Sequence, residues 1–234
     1  MLKQEDYTHH ISGQFNAELD GLRKFMLEMG GKVEQQLNSA ISALVAMDSG
    51  QAELIINRDH EVNQMEISID EQCASILARR QPAASDLRLI VAIIKVNTDL
   101  ERIGDEAAKV ALQAMRLSEA GFSPTSFIEI RHIGTHVAGM LRSALDAFAR
   151  LDAVAAVEVV KNDKIVDREY GSALRSLMTF MMEDPRAIGS IINEMWALRS
   201  LERIGDHASN IAEHVIYLVR GTDVRHGRQE ALEE

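Results

Sequence analysis

Apolar residues recur at spacings of three and four over long stretches of the chain. The pattern is clearest where Leu22, Met26, Met29, Val33, Leu37, Ile41 and Leu44 fall on one helical face. It returns near the other end in Leu201, Ile204, Ala208, Ile211, Val215 and Leu218. Such stripes need partner helices, and long helices with short connections pack as antiparallel bundles. Breakers are sparse. The three prolines, Pro82, Pro124 and Pro185, each stand near the start of a helical pattern, where a missing N–H costs little, and Ser123 and Asp184 precede two of them as N-caps. Asp48-Ser49-Gly50 and Gly121 are the expected stops, because glycine readily takes the left-handed conformation that ends a helix. The pattern therefore predicts helices over about 8–48, 52–80, 84–119, 124–151, 154–182 and 185–220. Residues 221–234 read as a disordered tail, without periodicity from Val224 onward.

The chain also repeats itself. Gly30, Val33, Leu37, Ala40, Asp48 and Asp59 return 104 residues later as Gly134, Val137, Leu141, Ala144, Asp152 and Asp163. Leu100-Glu101-Arg102-Ile103-Gly104-Asp105 returns as Leu201-Glu202-Arg203-Ile204-Gly205-Asp206, with the offset reduced to 101. The change of offset falls between Gln81–Ser85 and a shorter connection near Asp184, where a deletion costs least. The fold expected is all-α: two tandem, pseudo-symmetric three-helix bundles over 8–120 and 121–220.

Composition sharpens this. Hydrophobic residues make up 46% of the 234 but aromatics only 4%, so the core is aliphatic and suits helices better than sheets. A formal charge of -11 without a local basic patch argues against a nucleic-acid partner. The one cysteine, Cys73, lies in an apolar stripe and reads as core filler. No signal-like run or membrane-span-length apolar stretch is present, so the expectation is a cytoplasmic protein whose lipid contacts are at most peripheral.

Carboxylates carry the candidate chemistry. Glu101 and Asp105 stand four apart on the third helix of the first copy, and Glu202 and Asp206 repeat them in the second. On each preceding helix, Asp163 and Asp167 keep the same spacing, while Asp59 is followed by Asn63, with Glu66 and Asp70 continuing the line. All border the buried seam, so neighbouring helices can bring two pairs together. Acidic residues spaced by four are common on solvated helix faces, but their repetition in both copies leaves two alternatives. One is a salt-bridge network with Arg102 and Arg203; the other is a metal site, whose ion would remove the repulsion among crowded acids. An all-oxygen set without cysteine favours magnesium, calcium, manganese or ferric iron over zinc or copper. His207 reads as an exposed residue turned away from the acids. Gly104 and Gly205, each costing a helix interior roughly 1 kcal/mol relative to alanine, imply close helix packing or a bound cluster.

Catalytic patterns are thin. A diiron carboxylate oxidase needs two Glu-x-x-His motifs, and only Glu129–His132 fits. His132 and His136 have zinc-like spacing, but their counterparts in the first copy are Glu28 and Lys32 and no cysteine completes a set, so they read as surface residues. No phosphate loop, nucleophile elbow or zincin motif appears.

With two three-helix repeats, each bearing Leu-Glu-Arg-Ile-Gly-Asp on its third helix and a four-spaced line on its second, the chain resembles the PhoU family of phosphate-transport accessory proteins. The likeness runs from Phe15-Asn16-Ala17-Glu18-Leu19 through Gln81-Pro82-Ala83-Ala84-Ser85-Asp86-Leu87-Arg88 to Asn210-Ile211-Ala212. The resemblance implies a non-enzymatic, cytoplasmic negative regulator of the phosphate-starvation response. It would link the ATPase of an ABC phosphate transporter to a sensor histidine kinase, and it would form a homodimer. It also implies multinuclear metal ions on Asp59, Asn63, Glu101, Asp105, Asp163, Asp167, Glu202 and Asp206. Asn63 departs from the acidic pattern, and a neutral amide is a weaker ligand for a hard cation, so the first site is expected to hold fewer ions. The rival expectation is a metal-dependent carboxylate-bundle enzyme or a metal-storage protein.

Overall fold

A computed structural model describes residues 13–121 and 127–221. The helix starts expected at residue 8 and at Pro124, the Ser123 cap and the tail over 222–234 lie outside them. The described residues form α1 (Gly13–Ala46), α2 (Ser49–Arg80), α3 (Ala84–Ala120), α4 (Phe127–Arg150), α5 (Ala153–Glu183) and α6 (Ile188–Arg220), and no strand occurs among them. All seven residues of the first apolar stripe and all six of the last are buried. Cys73 is buried too, and burial pushes its thiol up to about 12, so it packs as an inert apolar group.

The turns explain where the helices stop. The end of α1 departs from expectation: Gly50 lies inside α2, and the left-handed residue is Met47, at φ 51°. Its non-glycine cost is offset by the closure around it, where Asp48 N–H donates to Ala43 O at 2.9 Å and the Asp48 carboxylate accepts from Gln51 N–H at 2.9 Å. The second copy repeats the device with Leu151 at φ 54° and Asp152, which accepts from the N–H groups of Val154 and Ala155. Gly121, at φ 64°, ends α3 as expected. Asp184 caps the segment after it by accepting from Arg186 N–H at 3.1 Å, with Pro185 at the first position of a 3-10 turn, Pro185–Ala187, that leads into α6.

Helices α1–α3 and α4–α6 form the two expected bundles, packed through α1 against α4 and, most extensively, α3 against α6. The buried residues of both halves make one continuous core. Pseudo-symmetry is visible in single contacts. A Cβ on Gly30 would lie 2.7 Å from Leu145 Cδ2, and one on Gly134 would lie 3.0 Å from Ile41 Cγ2, the same close approach seen from each copy. Arg23 of α1 reaches over to donate to the carbonyls of Phe148 and Ala149, satisfying the free end of α4.

Helices α3 and α6 run antiparallel and carry a polar seam. Arg203 meets Glu106 at 2.8 Å, and Glu106, 2% exposed, also takes Lys109 at 2.9 Å. Two turns back along α3, Asp99 accepts from Asn210 Nδ2 at 3.2 Å and faces His207 Nδ1 at 2.9 Å and His214 Nε2 at 3.2 Å.

Candidate metal centre

Successive turns of α5 carry Asp163 and Asp167, and successive turns of α6 carry Glu202 and Asp206. Antiparallel packing of the two helices brings the rows face to face. One oxygen each from Asp167, Glu202 and Asp206 lies within 4.8 Å of the others. Asp163 completes the row. Burial, then the charges of Asp206, Asp167 and Glu202, push its carboxyl up to about 6. Burial raises Glu202 and Asp206 as well, reinforced in Glu202 by Asp206 and in Asp206 by Asp167. Arg199 donates to Glu202 Oε1 at 2.7 Å, yet Glu202 Oε2 and Asp163 Oδ1 are buried without a hydrogen-bond partner. Two buried lone-pair atoms with nothing to accept from are costly in a folded chain. The hollow beside them, lined by Asp163, Asp206, Asn210 and Glu213 with Arg203 and His207 at its edge towards α3, opens to the surface.

The first copy is built alike but closed differently. Glu101 and Asp105 on α3 stand near Asp59 and Glu66 on α2; burial, then these neighbouring acids, raise Glu101 and Asp105, and burial, then Asp70, raise Glu66. Here the protein supplies a donor of its own: Gln36 Nε2 donates to Asp59 Oδ1 at 2.7 Å and to Gly104 O at 3.3 Å. The position 104 residues later is Met140, so Asp163 has no such amide beside it. Asn63 holds the place of Asp167, its Oδ1 buried and unpartnered, and Asn97 Nδ2 takes Asp70 Oδ1 at 3.0 Å. Among the described residues, no trio of acids comparable to that of the second copy forms here.

The repeated glycines belong to this geometry. A Cβ on Gly104 would stand 3.5 Å from Asp59 Oδ1, and one on Gly205 3.8 Å from Asp163 Oδ1, with Val137 and Val166 at 3.5 Å. At Gly205 these are ordinary contacts, so helix packing alone does not demand glycine there. The missing side chain leaves room beside the acids.

The salt-bridge alternative fares unevenly. Arg102 lies 3.6 Å from Glu101 with its side chain 56% exposed, a weak pair, while Arg203, though close enough to Asp206 to ease its charge, bonds to Glu106 of the other repeat. The partner of Glu202 is Arg199, one turn earlier, a residue that spacing alone gave no reason to choose. His207 is not an exposed bystander, because its ring is drawn into the α3–α6 seam by Asp99. His132 is exposed and His136 half-buried, but both face Glu169 of α5, at 3.5 and 3.2 Å.

A donor set of four carboxylates with unpartnered buried lone pairs and an open glycine floor fits a hard cation. Comparison with known proteins agrees with the repeat. The sequence profile of the PhoU domain matches twice, over residues 26–114 and 130–215. The chain is 62% identical over 226 residues to the phosphate-specific transport system accessory protein PhoU homolog of Pseudomonas aeruginosa, covering 97% of this chain and 93% of that protein. Identity to phosphate-specific transport system accessory protein PhoU of Escherichia coli is 48% over 217 residues, or 93% and 90% of the two chains. The crystal structure of PhoU from Pseudomonas aeruginosa superposes with a TM-score of 0.87 over 89% of this chain and 100% of that one. Both halves, and the turn and motif residues that build them, are thus accounted for by one ancestry: the chain belongs to the PhoU family.

Proposed function

We propose that this chain is an accessory regulator of phosphate-specific transport. The observation that carries the proposal is its similarity, over nearly its whole length, to proteins named for that role in Pseudomonas aeruginosa and Escherichia coli. In finer terms, it restrains phosphate uptake and the phosphate-starvation response when phosphate is plentiful. It does so by linking the ATPase of an ABC phosphate transporter to a sensor histidine kinase, acting as a cytoplasmic homodimer. No helix among the described residues is long and apolar enough to cross a membrane, which favours a partner role over that of a pore.

The acidic rows provide the means of adjustment. Asp163, Asp167, Glu202 and Asp206 would hold the fuller set of iron, manganese, magnesium or calcium ions, and Asp59, Asn63, Glu101 and Asp105 a poorer one. When bound, the ions supply positive charge that cancels the repulsion among the carboxylates. The chain's own part is to keep the acids aligned on two rigid helices, with Arg199 fixing Glu202 and the glycine floor leaving room. Affinity purification from cells grown in high and low phosphate tests the role. The transporter ATPase and the kinase are expected to co-purify in high phosphate, and recovery of neither in both conditions would refute it. Oxygen consumption or iron oxidation by the pure protein would instead support the carboxylate-enzyme alternative.

A further inference from the structure

His132 and His136 sit one turn apart on α4, and Glu169 approaches them from α5. The Nδ1 atoms of both rings face the same carboxylate oxygen, Glu169 Oε2, at 3.5 and 3.2 Å, and the rings stand edge to face with centroids 6.5 Å apart. Two histidines spaced by four on one helix, completed by a carboxylate from the neighbour, make a nitrogen-rich donor set. This set differs in kind from the oxygen-only rows between α5 and α6. We propose that His132, His136 and Glu169 form a second metal site, selective for a borderline-soft divalent ion such as zinc.

A tetrahedral zinc ion with bonds of about 2.0–2.2 Å holds its ligand atoms roughly 3.3–3.5 Å apart, which is the range of the two nitrogen-to-oxygen separations. The two imidazoles, with centroids 6.5 Å apart, do not yet converge on one point with Glu169, so binding requires one ring to turn inward. His132, with its side chain 67% exposed, is free to change rotamer and close the set around an ion. Three protein ligands leave the fourth position to water, so the ion is exchangeable, and it ties the N-terminal part of α4 to the middle of α5. The site is not an inheritance of the duplication. The first copy has Glu28, Lys32 and Met65 at the corresponding positions, and its Lys32 pairs instead with Glu61 at 2.7 Å. The first repeat is therefore a built-in control that lacks the donors.

The test uses the full chain stripped with a chelator and titrated with cobalt(II), then with zinc(II) as competitor. Wild type is expected to develop the intense visible absorption of tetrahedral cobalt with nitrogen ligands, and zinc is expected to erase it. His136→Ala should abolish the band, the exposed His132→Ala should do the same with an unchanged melting temperature in chelator, and Glu169→Gln should weaken binding by more than about tenfold. The double variant Glu202→Gln with Asp206→Asn should keep the band, which separates this site from the acidic rows and from the regulatory role. No band in wild type, a band that survives His136→Ala, or one lost only in the acidic-row variant would each overturn the assignment.

Discussion

Asp163 stands in costly surroundings. Buried, flanked by the carboxylates of Asp206, Asp167, Glu202 and Glu213 and left with an unpartnered oxygen, its carboxyl group is pushed up from its usual 3.8 to about 6. A raised carboxyl pKa means that the folded state holds its proton more tightly than the unfolded chain. The favourable contribution is therefore full below about pH 4 and is lost as pH rises through about 6. Chelator-treated protein is thus expected to lose stability over that window, and Asp163→Asn to recover on the order of 1 kcal/mol at pH 7 but nothing at pH 4, after allowing for solvent screening. Melting temperatures at the two pH values check this, and equal shifts at both would contradict it. A second expectation concerns uptake: Glu202→Ala with Asp206→Ala should lower the metal found by elemental analysis while leaving the helical circular dichroism intact. The four-residue spacing made these acids visible in the sequence. The contrast between Gln36 and Met140 was equally present there, but it acquires meaning only once the first helix of each bundle lies against the acids of the second.

At the scale of the helix, glycine in the Leu-Glu-Arg-Ile-Gly-Asp repeat separates packing from binding. Gly205→Ala introduces only contacts of 3.5 Å or longer and removes the propensity cost of an interior glycine, roughly 1 kcal/mol. The variant is expected to melt no lower than wild type and to bind less metal; a drop in melting temperature with unchanged uptake would show that packing alone kept the glycine. Gly134→Ala behaves oppositely, because its Cβ meets three atoms of Ile41 within 3.0–3.2 Å. It should cost about 1–3 kcal/mol, read by urea unfolding, and Ile41→Val should return part of that. Helix positions followed from the apolar period, and the Gly121 stop and the Asp184 cap from punctuation. The stops at Met47 and Leu151 did not, since neither residue advertises a left-handed backbone and only the fitted Asp48 and Asp152 caps sustain it.

For the whole molecule, the duplication legible in the sequence does not imply two independent bodies. The core runs without interruption through both repeats, and the broadest helix pairing joins them. Urea unfolding is expected to be a single transition reported alike by circular dichroism and by the one tryptophan, Trp196; two separated transitions would mean that the bundles hold themselves up alone. Partners across the seam, such as Asp99 for His207, were hidden because nothing in a helical period states which distant helix comes to lie alongside.

One pair on that seam carries a further consequence. Glu106 follows Asp105 in the chain, Arg203 follows Glu202, and the two bond to each other across the molecular midline. Whatever charge arrives at one acidic row has one peptide unit on each helix and a single carboxylate–guanidinium pair to traverse before it reaches its twin, so loading of the two halves is coupled, and a binding isotherm of the intact chain compared with that of Arg203→Gln would report the conversation between them.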